Sequence, residues 1–204
     1  MKAHIERKKS QFVVVASIAT ELSDVMVVAK EISLAAANAK AIAYRAGEKA
    51  RGFQPITDFI NELARETIEL VNQINEQASA LYETTVKEYR YEQANKQFKT
   101  VSALSCEAVY KDSLVPIAAQ LEEELEEMRY QFKNQVDQLL DQLSEIMHPA
   151  RAARVIAANS RIEASQAGEF LQSLLTVAES VDKAAELMYT NVQRCRSSMA
   201  MMEL

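Results

Sequence analysis

Apolar residues recur along the first part of the chain at alternating intervals of three and four residues, which is the spacing of one face of a long helix. This first seam consists of Val15, Ile18, Leu22, Val25, Ala29, Ile32, Ala36, Ala39 and Ala43. Because the heptad spacing holds without a slip and ends in alanines, it predicts a coiled-coil stem whose neighbouring helices approach closely near its end.

Three more seams of the same kind follow, so the pattern predicts four helical stems. The second consists of Ile56, Ile60, Leu63, Thr67, Leu70, Ile74, Ala78 and Leu81. The third consists of Leu121, Leu125, Met128, Phe132, Val136, Leu139, Leu143 and Ile146. The fourth consists of Leu171, Leu174, Ala178, Val181, Ala185, Met188, Val192, Cys195, Met199 and Met202. Residues 84–99, after the second seam, are more polar.

The chain contains three glycines, Gly47, Gly52 and Gly168, and all three interrupt the helical seams. Glycine accepts a positive φ at little steric cost, so we interpret these positions as the turns of two helical hairpins. A further reversal is predicted at residues 111–116, where a serine suited to an N-cap precedes a proline suited to a first helical turn.

Connections of this kind run up, down, up and down through a bundle. They predict an all-α fold, with residues 1–204 forming a single domain. We expect an elongated antiparallel four-helix bundle or coiled coil made of two fused helical hairpins, with both glycine turns at the same end.

The two halves of the sequence are related by a shift of 121 residues. Over residues 22–48, 11 of 27 positions are identical to residues 143–169, including an Ala-Ala-Asn and an Ala-Gly-Glu. A shared alanine-rich bias does not readily give both matches in one gapless register, so we interpret the chain as a duplication. The predicted pseudo-repeats are residues 8–112 and 113–204.

The same alignment places Pro149 opposite Val28, in the middle of the first stem. It therefore favours a third stem that continues through Pro149 with a kink. The alternative is that the helix ends in a turn at His148 and Pro149, because proline removes a backbone donor and clashes with the preceding turn.

Charge and composition narrow the classes of function. The formal charge of −6 is spread along the chain, and no basic stripe with interleaved aromatics indicates nucleic-acid binding. No apolar run approaches the roughly 20 residues that span a bilayer. Two widely spaced cysteines, Cys106 and Cys195, are typical of a reducing compartment. We expect a cytoplasmic protein with no integral membrane segment.

Residue patterns for catalysis are missing. A carboxylate-bridged metal pair in a helical bundle needs two Glu-x-x-His motifs, and only Glu145 with His148 has that spacing. Neither cysteine has a histidine at ligand spacing, and no glycine-rich phosphate loop occurs. We expect no enzymatic activity, no cofactor and no bound metal.

The most specific motif lies at residues 38–53, which read N-A-K-A-I-A-Y-R-A-G-E-K-A-R-G-F. They resemble the membrane-distal hairpin tip of bacterial chemoreceptors, the methyl-accepting chemotaxis proteins, which reads N-A-A-I-E-A-A-R-A-G-E-x-G-R-G-F. The matching residues are Asn38, Ala39, Ala43, Arg45, Ala46, Gly47, Glu48, Arg51, Gly52 and Phe53. The resemblance covers residues 22–74 strongly and residues 143–192 more weakly.

In that family two chains each supply one hairpin, and the tip of the resulting bundle contacts a chemotaxis histidine kinase, a coupling protein and other receptors. The resemblance implies that this chain is similar to a receptor dimer fused into one polypeptide, and that it acts as a soluble signalling or adaptor protein. The partner-binding tip that it implies consists of Asn38, Arg45, Glu48, Arg51, Phe53, Asn159, Glu163 and Glu169.

The chain also departs from the family pattern. The family glutamate is Ile42 in the first half and Glu163 in the second, and the tip arginine is Arg45 in the first half but Gln166 in the second. Pro55 replaces a valine-type contact position. The alternative function is therefore a structural or regulatory bundle that has lost kinase coupling and associates through its sides, including with copies of itself.

Packing offers a second interpretation of some tip residues. Phe53 either caps the bundle core or contacts a partner. Arg45 and Glu48 either bind a partner or form an i,i+3 surface pair, which is worth only about 0.2–0.5 kcal/mol.

Overall fold

In a computed structural model, five α-helices make up nearly all of the residues that the structure describes. The structure describes the backbone of residues 2–104 and 113–200 and the side chains of residues 13–104 and 113–200. The helices are α1 (Lys2–Ala46), α2 (Phe53–Leu104), α3 (Leu114–Glu145), α4 (Met147–Ala164) and α5 (Leu171–Ala200). The described ranges contain no β-strand, and none of their helices is long and apolar enough to cross a membrane.

The helices form an antiparallel four-stem bundle, so the predicted fold class is confirmed. Helix α1 packs against α2 and α5, α2 packs against α3 and α4, and α4 packs against α5. Ion pairs also link the two helices of each hairpin. Lys40 Nζ lies 2.6 Å from Asp58 Oδ1, and Arg161 Nη2 lies 2.6 Å from Asp182 Oδ2.

Helices α3 and α4 together make the third stem, and the helix continues through Pro149. Only Ile146 separates them, and it keeps right-handed helical angles, with φ −59° and ψ −26°. The backbone N–H of Ala150 donates to the carbonyl of Ile146 at 3.3 Å, which is an ordinary i to i−4 helical bond. The prediction of a continuing helix is confirmed, and the alternative of a chain-reversing turn is wrong.

The core follows the first and fourth predicted seams closely. Every residue of the first seam is buried, and in the fourth seam only Leu171 is partly exposed among the residues that the structure describes. Met202 lies outside those residues. In the third seam, Leu121 and Met128 are only partly buried.

The second predicted seam is correct at Ile60, Thr67, Ile74, Ala78 and Leu81, which are buried, but its other three positions are shifted by one residue. Ile56, Leu63 and Leu70 are only partly buried and pack against the edge of the core. The buried positions are one residue further on, at Thr57, Ala64 and Val71. The facing positions of α1 and α4 are mostly alanine here, and on α2 the smaller of the two adjacent side chains lies inward while the larger one lies at the flank. The hydroxyl of Thr57 is satisfied by the carbonyl of Gln54 at 2.7 Å.

Burial follows the same register in both halves of the chain. At the shift of 121 residues, the buried pairs include Leu22 with Leu143, Ala36 with Ala157, Phe53 with Leu174, Ile60 with Val181 and Val71 with Val192. This agreement supports the duplication, although the repeat boundaries stay a prediction. The reversal predicted at residues 111–116 lies partly outside the described residues, and Cys106 lies wholly outside them.

Candidate interaction site at the bundle tip

The first hairpin turn is built on a left-handed glycine. Helix α1 ends at Ala46, and Gly47 follows with φ 57°. A short 3₁₀ segment, Gly47–Ala50, carries the chain across to α2, which begins at Phe53. Since α2 begins before Pro55, the proline lies in its first turn, where a missing N–H costs nothing.

The second hairpin turn repeats this construction. Helix α4 ends at Ala164, and the 3₁₀ segment Gly168–Phe170 leads into α5 at Leu171. Gly168 has φ 59°, which is nearly the value at Gly47. The final turn of α4 is closed by the N–H of Ser165, which donates to the carbonyl of Arg161 at 3.3 Å.

The two turns lie beside each other at one end of the bundle, as predicted. An ideal Cβ on Gly52 would lie 2.1 Å from Glu163 Oε2, so the carboxylate of the second hairpin rests directly over the first. In the other direction, an ideal Cβ on Gly168 would lie 4.0 Å from Lys49 Cδ. The tip is therefore a joint surface of both hairpins.

Gly52 has a different role from the predicted one. Positive φ occurs at Gly47 and Gly168 but not at Gly52, so Gly52 is not a turn residue in the same sense. Its importance lies in the missing side chain, because a methyl group there would displace the Glu163 carboxylate. All three glycines lie in the hairpin turns as predicted, but only Gly47 and Gly168 adopt a positive φ there, whereas Gly52 permits the close approach of Glu163.

Most of the predicted tip residues are at the surface. The exposed ones are Asn38, Arg45, Glu48, Arg51, Asn159 and Glu169, and Glu163 is partly exposed. Phe53 is the exception, with a relative exposure of 0%. Its predicted partner contact is wrong, and the alternative is correct: the ring fills the end of the core, where the two hairpins meet.

The ion pair proposed between Arg45 and Glu48 is also corrected. Glu48 Oε2 lies 3.6 Å from Arg51 Nη1 instead, and the two side chains are 88% and 79% exposed. An ion pair this exposed contributes little to stability because water and salt screen it. These charges are therefore available to a partner at small energetic cost.

Two exposed aromatic residues were missed by the sequence reasoning. Tyr44 is 81% exposed on the last turn of α1, and Phe59 is 63% exposed on the second turn of α2. The sequence contains a pattern that could have identified Phe59 as part of a helix face. Gly52, Ile56, Phe59 and Leu63 recur at intervals of four, three and four residues. That spacing makes a second apolar stripe beside the core stripe.

The buried thiol in the fourth stem has the environment of a core residue. Cys195 is 1% exposed. Burial, with a smaller contribution from the nearby Glu21 carboxylate, raises the pKa of this thiol to about 12. A thiol in this state is a poor nucleophile at neutral pH. In the residues described, no group of three or more His, Cys, Asp or Glu side chains is arranged to hold a metal ion.

The fold and the tip define a class of protein: an antiparallel four-helix bundle in which one polypeptide supplies two adjacent hairpin turns. In comparisons with known proteins, no family model, no curated protein and no solved structure matches this chain. The likeness to chemoreceptor tips therefore stays a prediction that depends on residues 38–53 and their weaker counterpart.

Proposed function

We propose that this protein is a chemoreceptor-like signalling or adaptor protein. It presents the two-hairpin tip to a chemotaxis histidine kinase, its coupling protein or receptor tips, and it acts by binding, without catalysis or a cofactor. The proposal requires a cytoplasmic location, where these partners work.

One observation carries the proposal. The two motif-bearing turns lie side by side, with Glu163 of one hairpin over Gly52 of the other. The resemblance implies this arrangement for a pair of receptor hairpins. The exposed charges at the same end, Arg45, Glu48 and Arg51, supply polar contacts of the kind that surround interface cores.

A binding experiment with matched charge reversals tests this function. The purified chain is titrated with purified kinase and with coupling protein, beside the Arg45→Glu and Arg51→Glu variants. Lys87→Glu is the control, because Lys87 is exposed on α2 far from the tip. We expect the wild type and the Lys87→Glu variant to bind and both tip variants to bind weakly. A wild type that binds neither protein contradicts the proposal. Phe53 is unsuitable for this test, since its replacement would disturb the core.

A structural or regulatory bundle that associates through its sides is the second candidate. It is favoured by large exposed side chains away from the tip, such as Tyr130 at 64%, Tyr82 at 47% and Leu187 at 43%. Sedimentation equilibrium separates the two candidates. Self-association that Tyr130→Ser abolishes, with no kinase binding, would favour the second.

A further inference from the structure

Two grooves flank the tip, and the shift of 121 residues relates them. One lies between α2 and α4, and the other lies between α5 and α1. On α2 the groove is lined by the stripe Gly52, Ile56, Phe59 and Leu63. The equivalent stripe on α5 is Ser173, Val177, Ser180 and Ala184.

The contact between Gly52 and Glu163 fixes the direction in which the α2 stripe faces. Because Glu163 Oε2 lies over Gly52, this side of α2 is turned toward α4. Residues at i, i+4 and i+7 share one face of a helix, so Phe59 follows Gly52 along the same groove. The helices are antiparallel, and seven residues further along α2 correspond to seven residues back along α4, at Ile156.

The two grooves differ in what they expose. Between α2 and α4, Phe59 is 63% exposed, and the flanking Ile56 and Leu63 are only partly buried. In the equivalent groove, Val177 and Ala184 are 8% and 7% exposed, and Ser180 takes the place of the aromatic ring. Of these two equivalent stripes, only the one on α2 therefore exposes an aromatic ring.

The grooves also differ in charge. Glu163 lies in the α2–α4 groove, and its counterpart in the other groove is Ile42. Across the described part of the chain, no ion pair joins Glu163 to a lysine or arginine, whereas Lys40 and Arg161 nearby both have carboxylate partners. A carboxylate about two helical turns from an exposed aromatic ring, along the same groove, complements a partner that carries both an apolar side chain and a cation.

We propose that the α2–α4 groove is the one docking face of the tip, and that it takes a single protein segment with an aliphatic or aromatic side chain next to an arginine or lysine. The apolar side chain packs on Phe59, and the cation pairs with Glu163. The α1–α5 groove takes no such segment, so each chain binds one partner. This inference rests on the proposed function for the identity of the partner, but not for the chemistry of the groove.

A tripeptide probe tests the groove without any assumption about the natural partner. Acetyl-Leu-Phe-Arg-amide is titrated into methyl-labelled protein, and NMR spectra are recorded. The peptide concentration reaches about millimolar, because so small a ligand can bind only weakly. We expect chemical-shift changes at the methyl groups of Ile56 and Leu63, and none at Val177 and Ala184. Acetyl-Leu-Phe-Glu-amide, the control, should shift neither pair. Changes in both grooves, or in neither, overturn the proposal.

Calorimetry with the coupling protein then tests stoichiometry and position. We expect one partner per chain and, for Phe59→Ser, a loss of at least about tenfold in affinity, as for an aromatic interface anchor. Gly52→Ala should also weaken binding, because the added methyl group displaces the Glu163 carboxylate. Ser180→Ala and Ser173→Ala are the matched controls in the other groove and should bind like the wild type.

The outcomes separate the two proposals. Two partners per chain, or a Phe59→Ser variant that binds like the wild type, overturns the docking face and leaves the proposed function standing. A chain that binds the tripeptide at Ile56 and Leu63 but binds neither coupling protein nor kinase keeps the docking face and removes the proposed function.

Discussion

Gly47 and Gly168 hold the only positive φ values among the described residues, at 57° and 59°. In this left-handed region the side chain of an ordinary L-residue comes too close to the following carbonyl oxygen. Each turn therefore depends on one residue without a side chain. Gly52 requires a glycine for another reason, which is the space that the Glu163 carboxylate occupies.

Substitutions at the glycines distinguish the need for a positive φ, at Gly47 and Gly168, from the need for space, at Gly52. We expect Gly47→Ala and Gly168→Ala each to lower the free energy of unfolding by about 1–2 kcal/mol, which is the cost of a left-handed non-glycine residue. Gly47→Asn should cost less, because asparagine tolerates this region. Urea unfolding followed by circular dichroism measures the values.

Gly52→Ala is the control for that series. Its backbone is not left-handed, and the clash involves only the flexible end of Glu163, so we expect a small change in stability. An equal loss for Gly52→Ala and Gly47→Ala would contradict the assignment of roles.

The Cys195 thiol gives a prediction in alkaline solution. Burial first, and the Glu21 carboxylate second, raise its pKa from the ordinary 9.0 to about 12. The folded state therefore keeps a proton that the unfolded state loses, so this contribution to stability is full below pH 9 and is lost as the pH rises toward 12. In a Cys106→Ser background, the stability advantage over Cys195→Ala should shrink across that window. An advantage that stays constant with pH would contradict the assignment.

The same thiol should resist labelling. With Cys106 replaced by serine, we expect no reaction of the native protein with a thiol reagent at pH 8 and complete reaction after unfolding in urea. Rapid native labelling would mean that the fourth stem opens locally at Cys195.

At the scale of single helices, two glutamates of α2 occupy largely buried positions opposite Arg129 of α3. Glu88 is 4% exposed, and the side chain of Glu92 is 9% exposed. Arg129 reaches both, with Nε 3.7 Å from Glu88 and Nη2 3.4 Å from Glu92. Two largely buried carboxylates thus share one half-exposed guanidinium, which also pairs with the exposed Glu126 at 2.9 Å. Its positive charge offsets part of the cost of burying the two glutamates.

Removal of Arg129 should therefore destabilise the protein more than removal of a surface arginine. We expect Arg129→Ala to lower the free energy of unfolding by about 1–2 kcal/mol, less than for a fully buried pair because Arg129 is 49% exposed. Arg65→Ala is the control. Arg65 pairs with Glu69 at 3.0 Å, but the two side chains are 60% and 58% exposed, so its loss should change the stability little because solvent screens the pair.

The triple variant Arg129→Met, Glu88→Leu, Glu92→Leu tests the cause. If the loss of the compensating positive charge is what destabilises Arg129→Ala, removing all three charges should restore most of the lost stability. A triple variant as unstable as Arg129→Ala would instead assign the loss to packing.

The helical elements were largely predictable from the sequence, and the side-chain detail at the tip was not. Heptad spacing identified the stems, and glycine chemistry located the turns at Gly47 and Gly168. Periodicity gives the direction of a side chain around its helix but not the distance between helices. Ile56 and Thr57 both start a heptad series, and only the close approach of neighbouring helices decides that threonine is buried while isoleucine lies at the flank.

The same limit explains the tip residues. Phe53 follows a charged turn, so its sequence neighbours suggest a surface, and only the meeting of two hairpins encloses it. Phe59 appears as an unremarkable apolar residue until the contact of Gly52 with Glu163 shows which groove it lines. Both facts depend on contacts between distant parts of the chain.

At the scale of the whole molecule, neither hairpin buries its apolar face alone. Helix α1 packs against α5, and α2 packs against α3 and α4, so core contacts cross between the hairpins throughout. We expect residues 1–104 and 105–204, expressed separately, to be largely unfolded or self-associated. Co-expressed, they should purify as a one-to-one complex with the helicity of the intact chain. A first fragment that is a folded monomer on its own would contradict this.

The bundle should also be long and narrow in solution. Helix α2 has 52 residues, which gives about 78 Å at about 1.5 Å per residue. Small-angle scattering of the monomer should show a rod with a maximum dimension of at least that length. A compact particle would be inconsistent with an extended bundle.

The side-by-side placement of the two turns has a consequence for mass action. A tip assembled from separate subunits comes apart on dilution, whereas turns carried by one polypeptide remain together at any concentration, since their association is intramolecular. A cell with only a few copies of this protein would still have a complete tip on each copy. Because both turns belong to one polypeptide, their sequences can differ, which is not possible in a dimer of identical chains. Glu163 therefore faces Gly52 in the α2–α4 groove, whereas Ile42 occupies the equivalent position in the α1–α5 groove.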